Sequence, residues 1–334
     1  MYYIGMDIHK KDTQACMKNE TGKVLLTGRF PSRPKDLNAF IDKVEAMGSP
    51  ASFVIESTGF CIPIYDVLVG RGHEVKVAHP LKIKALTAGR AKTDKNDADM
   101  LAELLRLNAI PESYIPPVEM RELRELTRFR QSLVRNSTEL KNQVHAFLAS
   151  RGIQTPPEYL SAFSNKHRAW LRSLHLGQVD DLLDILEMLW KKIEKVEDDI
   201  ERTCPKKEDV TLLKTITGVG AVISNSLVAE ICDIERFSSP ENLFSYAGII
   251  SSVHQSGEKC WTGPITKQGN ARIRYLMVEA AYSHVRNAKD SQLTRYYEKK
   301  KAEKGTKKAI VATARKLLGI IYHMLKKREA FHAH

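Results

Sequence analysis

Four carboxylates stand where an isolated negative charge makes little structural sense. Asp7 lies inside the strand-like run YYIGMDIH, and Glu56 directly follows the apolar run Phe53-Val54-Ile55. Asp94 and Asp97 are three apart in KTDKNDADMLAELL, a spacing that places both on one helical face. A bare carboxylate in apolar surroundings is costly, and the usual compensations are a partner charge or a metal ion. No comparable set of inward-facing bases accompanies these acids, so they point to divalent metal with oxygen ligands, Mg²⁺ or Mn²⁺. Two such ions about 4 Å apart are a general device for breaking phosphodiester bonds. Plainer readings exist. Asp94 suits the N-cap of the helix that follows, and Asp97 and Asp99 suit its first turn. Asp99 is the acid expected to stand outside the site, whereas Asp7 and Glu56, set in apolar strands, resist a plain reading better.

The elements that must position these acids are legible in the pattern of apolar residues. Residues 2–30 read as three short strands, YYIGMDIH, TQACMKNE and KVLLTGRF, the last two joined by the turn NETG. PKDLNAFIDKVEAMG reads as a helix ending at Gly48, ASFVIES as a buried strand, IPIYDVLVGRG as a helix and HEVKVAHP as a further strand. Residues 81–108 end in a helix carrying Leu101, Leu104, Leu105 and Leu107. Three strands followed by alternating helix and strand resemble the ribonuclease-H architecture, which sets one acid on the first strand, one on a later strand and the rest on a late helix. IPPVEM marks a linker. Beyond it, 118–150 and 179–202 read as two long charged helices, a helical hairpin or coiled-coil insert serving as spacer or dimerisation arm.

The net charge of +12 is unevenly spread over the 334 residues. Residues 1–110 hold 16 basic and 13 acidic residues, 111–204 hold 14 and 15, and 205–334 hold 22 and 12, so +10 falls in the last region. That excess predicts a polyanion-binding part. Within it, Gly218-Val219-Gly220 lies in a tight turn between two apolar helical stretches, a helix-hairpin-helix pattern whose backbone N–H groups bind phosphate. A plain helix–helix turn has the same signature. Lys267, Arg272 and Arg274 open a later helix, and Lys307 and Lys308 belong to a lysine cluster before the final one. The five cysteines are scattered with no C-x-x-C pair, which supports neither a zinc site nor a disulfide framework. A strand-like N-terminus and the lack of a long apolar run lead us to expect no leader, no membrane span and a cytoplasmic, nucleoid-associated protein. No Walker A motif occurs, so no ATP-driven step is expected.

The chain resembles the transposases of the insertion sequence 110 family, the DEDD transposases that include the Piv-type DNA invertases. The resemblance is carried by Asp7 in YYIGMDIHKKD, Glu56 in FVIESTGF, Asp94 and Asp97 in KTDKNDADMLAELLR, and by ITGVG, FSYAGI, QSG and ITKQGNARIRYLM in that order. It implies a RuvC-like (RNase H-like) α/β catalytic domain at 1–110, a helical coiled-coil arm at 111–204, and a mainly helical C-terminal transposase domain at 205–334. It further implies a nucleophilic serine at Ser256 of Ser256-Gly257, two Mg²⁺ or Mn²⁺ ions on Asp7, Glu56, Asp94 and Asp97, and a dimer or tetramer. The partners it implies are donor and target DNA and a structured bridge RNA encoded by the element itself. Ser-Gly is also a common turn dipeptide. Ser251 and Ser252 compete with Ser256, Tyr246 competes more weakly, and His254 is a candidate proton shuttle. A DNA-reading invertase and a metal-dependent junction nuclease remain the alternative functions.

Overall fold

In β1 (Tyr2–Ile8), alternate residues face opposite sides of a sheet, and both sides are covered. The computed structural model describes residues 1–86, 93–159, 163–256 and 259–332, which form two compact units, Met1–Ile115 and Pro116–His334. In the first unit, β1 pairs antiparallel with β2 (Asp12–Lys18), and β2 with β3 (Val24–Pro31). After α1 (Pro34–Glu45) comes β4 (Ala51–Glu56), which lies parallel to β1. α2 (Cys61–Gly70) then leads to β5 (Glu74–Ala78), parallel to β4. The sheet order is β3-β2-β1-β4-β5. α3 (Pro80–Leu86) and α4 (Asp94–Arg106) complete this mixed α/β unit.

On one side of the sheet, Ile4, Met6, Ile8, Phe53 and Ile55 form a core with Leu37, Phe40, Ile41 and Val44 of α1 and Leu68 of α2. On the other side, Val54 and Ala78 pack with Leu101 and Leu105 of α4. Gly5 lets α4 lie directly against β1. A Cβ there would run into the Ala98 carbonyl oxygen and the Ala102 amide, and would sit 2.9 Å from Leu101 Cβ. Residues i and i+2 of a strand share a face, so Asp7 follows Gly5 onto the α4 side and Glu56 follows Val54.

The second unit begins with α5 (Val118–Ser150). α6 (Asn165–Ser173) follows, then α7 (Gly177–Thr203). α5 and α7 run antiparallel: Arg130 pairs with Glu197, Trp190 bonds Ser137, and Val144 shares a core with Val179 and Leu183. α8 (Lys207–Lys214), α9 (Ala221–Ile231) and α10 (Pro240–Ala247) follow. Next come the antiparallel strands β6 (Ser251–Ser256) and β7 (Lys259–Ile265), then α11 (Ala271–Asn287), α12 (Gln292–Lys304) and α13 (Thr306–Lys327). The strand pair is absent from the sequence reading, which expects a mainly helical region at 205–334. The feet of α5 and α7 (Met120, Leu123, Val196, Ile200) share one apolar core with α8–α13. The 111–204 arm and the region beyond 205 are therefore joined through a common interior.

Candidate active site

The acid cluster is built on the end of β1. Met6 is in register with Ile55, so the next positions, Asp7 and Glu56, sit side by side at the ends of neighbouring parallel strands on the α4 face. Thr93 caps α4, its hydroxyl accepting from the Asn96 amide at 3.2 Å. The cap is thus supplied by Thr93, and Asp94 is left free of that duty. Asp94 and Asp97 occupy the first turn, both half-buried. Asp7 is 6 % exposed. Burial pushes its carboxyl above the usual range; Asp94 and Asp97 add to that, and His9 opposes it.

His9 is not among the site residues read from the sequence, where the histidines show no metal-ligand spacing and His254 alone is singled out. Its Nε2 lies 3.2 Å from Asp7 Oδ2 and 3.5 Å from Asp94 Oδ1. Donor atoms of Asp7, His9 and Asp94 all lie within 4.8 Å of one another. Asp97 acts on Asp7 through its charge, and Glu56 stands on the adjacent strand outside that tight group. The signal was present in the sequence as Asp-x-His on a strand, which puts both side chains on one face. Asp99 takes another path: Lys18 Nζ reaches it at 3.0 Å and Glu103 at 3.2 Å, which neutralises it away from the cluster. The donor set fits a hard divalent cation: carboxylates of like charge around a buried member, with an imidazole at the edge.

In the second unit, Ser256 closes β6 opposite Lys259, and Gly257 lies outside the described residues. Ser252 donates to the Pro264 carbonyl at 3.1 Å. Tyr246 packs against Phe237 and under the Arg236 guanidinium. Gly218 has φ +92°, and a Cβ there would lie 2.6 Å from the His284 amide nitrogen, so this glycine admits the backbone of α11. Gly220 is the N-cap of α9, with open space around it. Lys267, Lys307 and Lys308 are exposed. Arg274 donates to the Ala247 carbonyl at 2.8 Å. Arg272 bonds Gln131 and lies 3.8 Å from Glu230.

Glu230 is a second residue that sequence reasoning passed over. It is 1 % exposed, receives a forked pair of bonds from Arg128 at 2.8 and 2.9 Å, and accepts from Asn270 at 2.8 Å. Arg124 lies 3.6 Å away and also donates to the Ala229 and Glu230 carbonyls, satisfying the open end of α9. Burial raises the Glu230 carboxyl, and Arg128, Asn270 and Arg124 overcome it, leaving it below the usual range.

Residues 4–151 match the DEDD transposase family of insertion sequence 110, and residues 210–298 match the transposase family IS116/IS110/IS902. A transposase for insertion sequence element IS1111A of Coxiella burnetii is 25% identical over 338 residues, covering 98% of this chain and 90% of the relative. The pilin gene-inverting protein of Moraxella bovis is 25% identical over 339 residues, covering 98% of this chain and 97% of its own. A putative transposase of Sinorhizobium fredii, y4qE, is 26% identical over 284 residues, covering 84% of this chain and 71% of its own. The chain belongs to the insertion sequence 110 family of transposases and is a DNA transposase/recombinase.

Proposed function

We propose that this transposase cuts and rejoins DNA at a ribonuclease-H-like acid site, working with a serine nucleophile and a guide RNA. The observation that carries the first part is the convergence of Asp7, Asp94 and His9 at the end of β1, with Glu56 beside Asp7 and Asp97 one turn along α4. The sheet order, antiparallel across β3-β2-β1 and parallel across β1-β4-β5, supports the RuvC-like assignment. Asp7, Glu56, Asp94 and Asp97 would hold two Mg²⁺ or Mn²⁺ ions. Bound there, the ions supply charge neutralisation at the phosphate and at the leaving oxygen. His9 Nε2 lies 3.2 Å from Asp7 Oδ2 and 3.5 Å from Asp94 Oδ1, between the two carboxylates, and helps to orient Asp7.

Ser256 is the proposed nucleophile. Its oxygen bonds to phosphorus as a phosphodiester P–O bond breaks, and the departing DNA oxygen leaves as a hydroxyl carrying the proton that the serine gives up. The serine ester keeps the bond energy, so a free DNA hydroxyl can reverse the step on a new strand without ATP. The supports are the family motif and the position of Ser256 at the end of a hairpin strand. Bridge RNA and a dimeric or tetrameric assembly rest on the family resemblance, and a cytoplasmic, nucleoid-associated setting rests on the sequence pattern alone. Among the described residues, no helix is long and apolar enough to cross a membrane. Phosphate binding at the α8–α9 turn, read as helix-hairpin-helix, is supported by the open N-cap at Gly220.

Full-length protein is assayed with labelled DNA carrying the ends of its element. Asp7→Asn is expected to abolish cleavage, and Ser256→Ala to abolish a protein–DNA adduct on denaturing gels. An adduct-free wild type together with a recombining Ser256→Ala variant would refute the serine step. The near end-to-end match to a pilin gene-inverting protein favours a second reading, a site-specific invertase that reads DNA itself. Recombination unimpaired by ribonuclease treatment selects that reading over RNA guidance.

A further inference from the structure

The second unit contains an open cavity of about 1070 Å³ between the end of the β6–β7 hairpin, α12 and α13. Its cations are Lys267 beyond the hairpin, Lys300 and Lys304 on α12, and Lys307, Lys308, Arg315 and Lys316 on α13. No carboxylate is among its lining residues. Three of these cations have local duties. Lys300 pairs with Glu303 at 2.7 Å, Lys316 lies over the Tyr296 ring at 4.5 Å, and Arg315 lies over the Phe244 ring at 5.0 Å. Lys267, Lys304, Lys307 and Lys308 form no ion pair among the described residues, and all four are exposed.

This arrangement works against the fold that carries it. α13 spans 22 residues, its N-cap Gly305 provides no side-chain acceptor, and its first turn holds no acid. Lys307 and Lys308 occupy that first turn, where the helix dipole favours an anion and disfavours a cation. Lys267 is held at φ +54°, a conformation that costs a non-glycine residue free energy. Repulsion among four unpaired lysines adds to that cost. A local fold gains nothing from such a cluster, whereas a ligand with several regularly spaced negative charges relieves all of it.

We propose that this groove binds the sugar–phosphate backbone of a nucleic-acid strand, guiding it along the β6–β7 hairpin. The groove is far larger than one phosphate ion. Of its two lining aromatic rings, Phe244 is buried and Tyr296 has Lys316 over it at 4.5 Å, so the exposed lining is dominated by cations and not by aromatic faces. Contact is therefore with phosphates, sequence-independent and salt-sensitive. Lys300, Lys304, Lys316 and Arg315 join Lys267, Lys307 and Lys308 as members of one site, while Arg272 and Arg274, engaged within the protein, are outside it. This deepens the reading of the chain as a nucleic-acid recombinase by assigning where a strand lies.

The test is binding by the full chain in EDTA, where no cleavage is needed. Fluorescence anisotropy is measured from 0.05 to 0.4 M salt with a labelled duplex DNA of random sequence and, separately, an RNA hairpin. The variants are Lys304→Gln/Lys307→Gln/Lys308→Gln, the single Lys267→Gln, and a charge-matched control on the arm, Lys191→Gln/Lys192→Gln/Lys195→Gln. The groove triple is expected to lose at least tenfold in affinity and to lower the salt slope by roughly 2 to 3, at about 0.9 per duplex phosphate. Lys267→Gln is expected to lower it by about 1. The arm control is expected to change neither. Loss confined to duplex places DNA in the groove; loss confined to the hairpin places RNA there. Unchanged binding of both probes, or an equal loss in the arm control, overturns the groove. That result leaves the cleavage defect of Asp7→Asn untouched, so failure here and failure of the recombinase reading are separable.

Discussion

Replacing Gly5 by alanine adds one methyl group at the closest approach between α4 and the sheet. Gly5 is two residues before Asp7 on the same face of β1, and α4 carries Asp94 and Asp97, so the contact sets the spacing of the acid cluster. The new Cβ would meet the Ala98 carbonyl oxygen, the Ala102 amide and Leu101 Cβ at 2.9 Å. Two of these atoms belong to the helix backbone and cannot rotate away. Restoring the Leu101 contact to ~3.5–4.0 Å requires α4 to move by roughly 1 Å, and the backbone atoms require at least as much. Overpacking of this kind costs about 1–3 kcal/mol, and for a unit of this size the melting temperature falls on the order of 5–10 °C. The larger effect is on the chemistry, because a misplacement of about 1 Å at a reacting constellation costs on the order of 100-fold in rate. Thermal unfolding and single-turnover cleavage of labelled DNA give the two numbers. Gly28→Ala on β3 is the control, since a Cβ there meets nothing within 4 Å. A Gly5→Ala protein with wild-type melting and cleavage would refute the claim that α4 is seated on β1 through this residue.

The remaining predictions concern charge. Asp7 has a folded pKa above its unfolded value, so its contribution to stability is present at low pH and is lost as pH rises through the folded value. Asp7→Asn is therefore expected to raise the melting temperature in EDTA near neutral pH. Saturating Mn²⁺ at 100 times its Kd is expected to stabilise only the wild type, by about 2.7 kcal/mol; equal Mn²⁺ stabilisation of both proteins would refute the site. Glu103 lies the other way. The Arg106 guanidinium and then Lys18 hold it down at about 2 against a usual 4.5, so its contribution is present above pH 4.5 and is lost as pH falls toward about 2. Glu103→Gln is expected to flatten the melting-temperature profile in that window, and an unchanged acid limb counts against it. Glu230→Gln leaves Arg124, Arg128 and Arg272 around a neutral amide and is expected to cost about 3–5 kcal/mol in urea unfolding, the range for breaking a buried pair. A loss under about 1 kcal/mol would make Glu230 no more than a surface pair.

The strands of the first unit and its helices α1, α2 and α4 were legible because each is long enough to show its period, whereas the seven-residue α3 was not read. α5 begins and ends where the sequence placed it, at 118 and 150, with Pro116-Pro117 in front and the turn at Arg151-Gly152 behind. The β6–β7 pair was not legible. In SSVHQS only Val253 is apolar, and a two-stranded ribbon leaves no two-residue alternation to read. Asp7 was found by asking which acids sit in apolar runs. Glu230, in SLVAEI, satisfies the same rule and was passed over because no motif named it. Its guanidinium partners could not be foreseen, since Arg128 is 102 positions away and Arg124 is 106 positions from it. Arg272 and Arg274 show the converse. A run of bases at a helix start reads as a phosphate grip, yet their guanidiniums are committed to Gln131 and the Ala247 carbonyl.

Asp7 and Glu230 supply a physical rule for telling a structural acid from a working one. Burial drives both carboxyls toward the protonated form. At Glu230 the protein answers with Arg128, Asn270 and Arg124, and the carboxyl ends below its ordinary range; the charge is balanced from within and ties α5 to α9 and to the start of α11. At Asp7 the neighbours include two more acids, the single imidazole of His9 does not offset them, and the carboxyl ends above its range. Gly5 allows α4 to approach the sheet closely enough to bring these acids together. The same distinction sorts the bases: Arg274 donates to the Ala247 carbonyl and Arg272 to Gln131 beside Glu230, while Lys267, Lys304, Lys307 and Lys308 line one groove that has no carboxylate among its lining residues. Each unit thus holds one place where like charges are gathered at a cost to its own stability, negative in the first and positive in the second. A phosphodiester strand with divalent counterions is a ligand that discharges both.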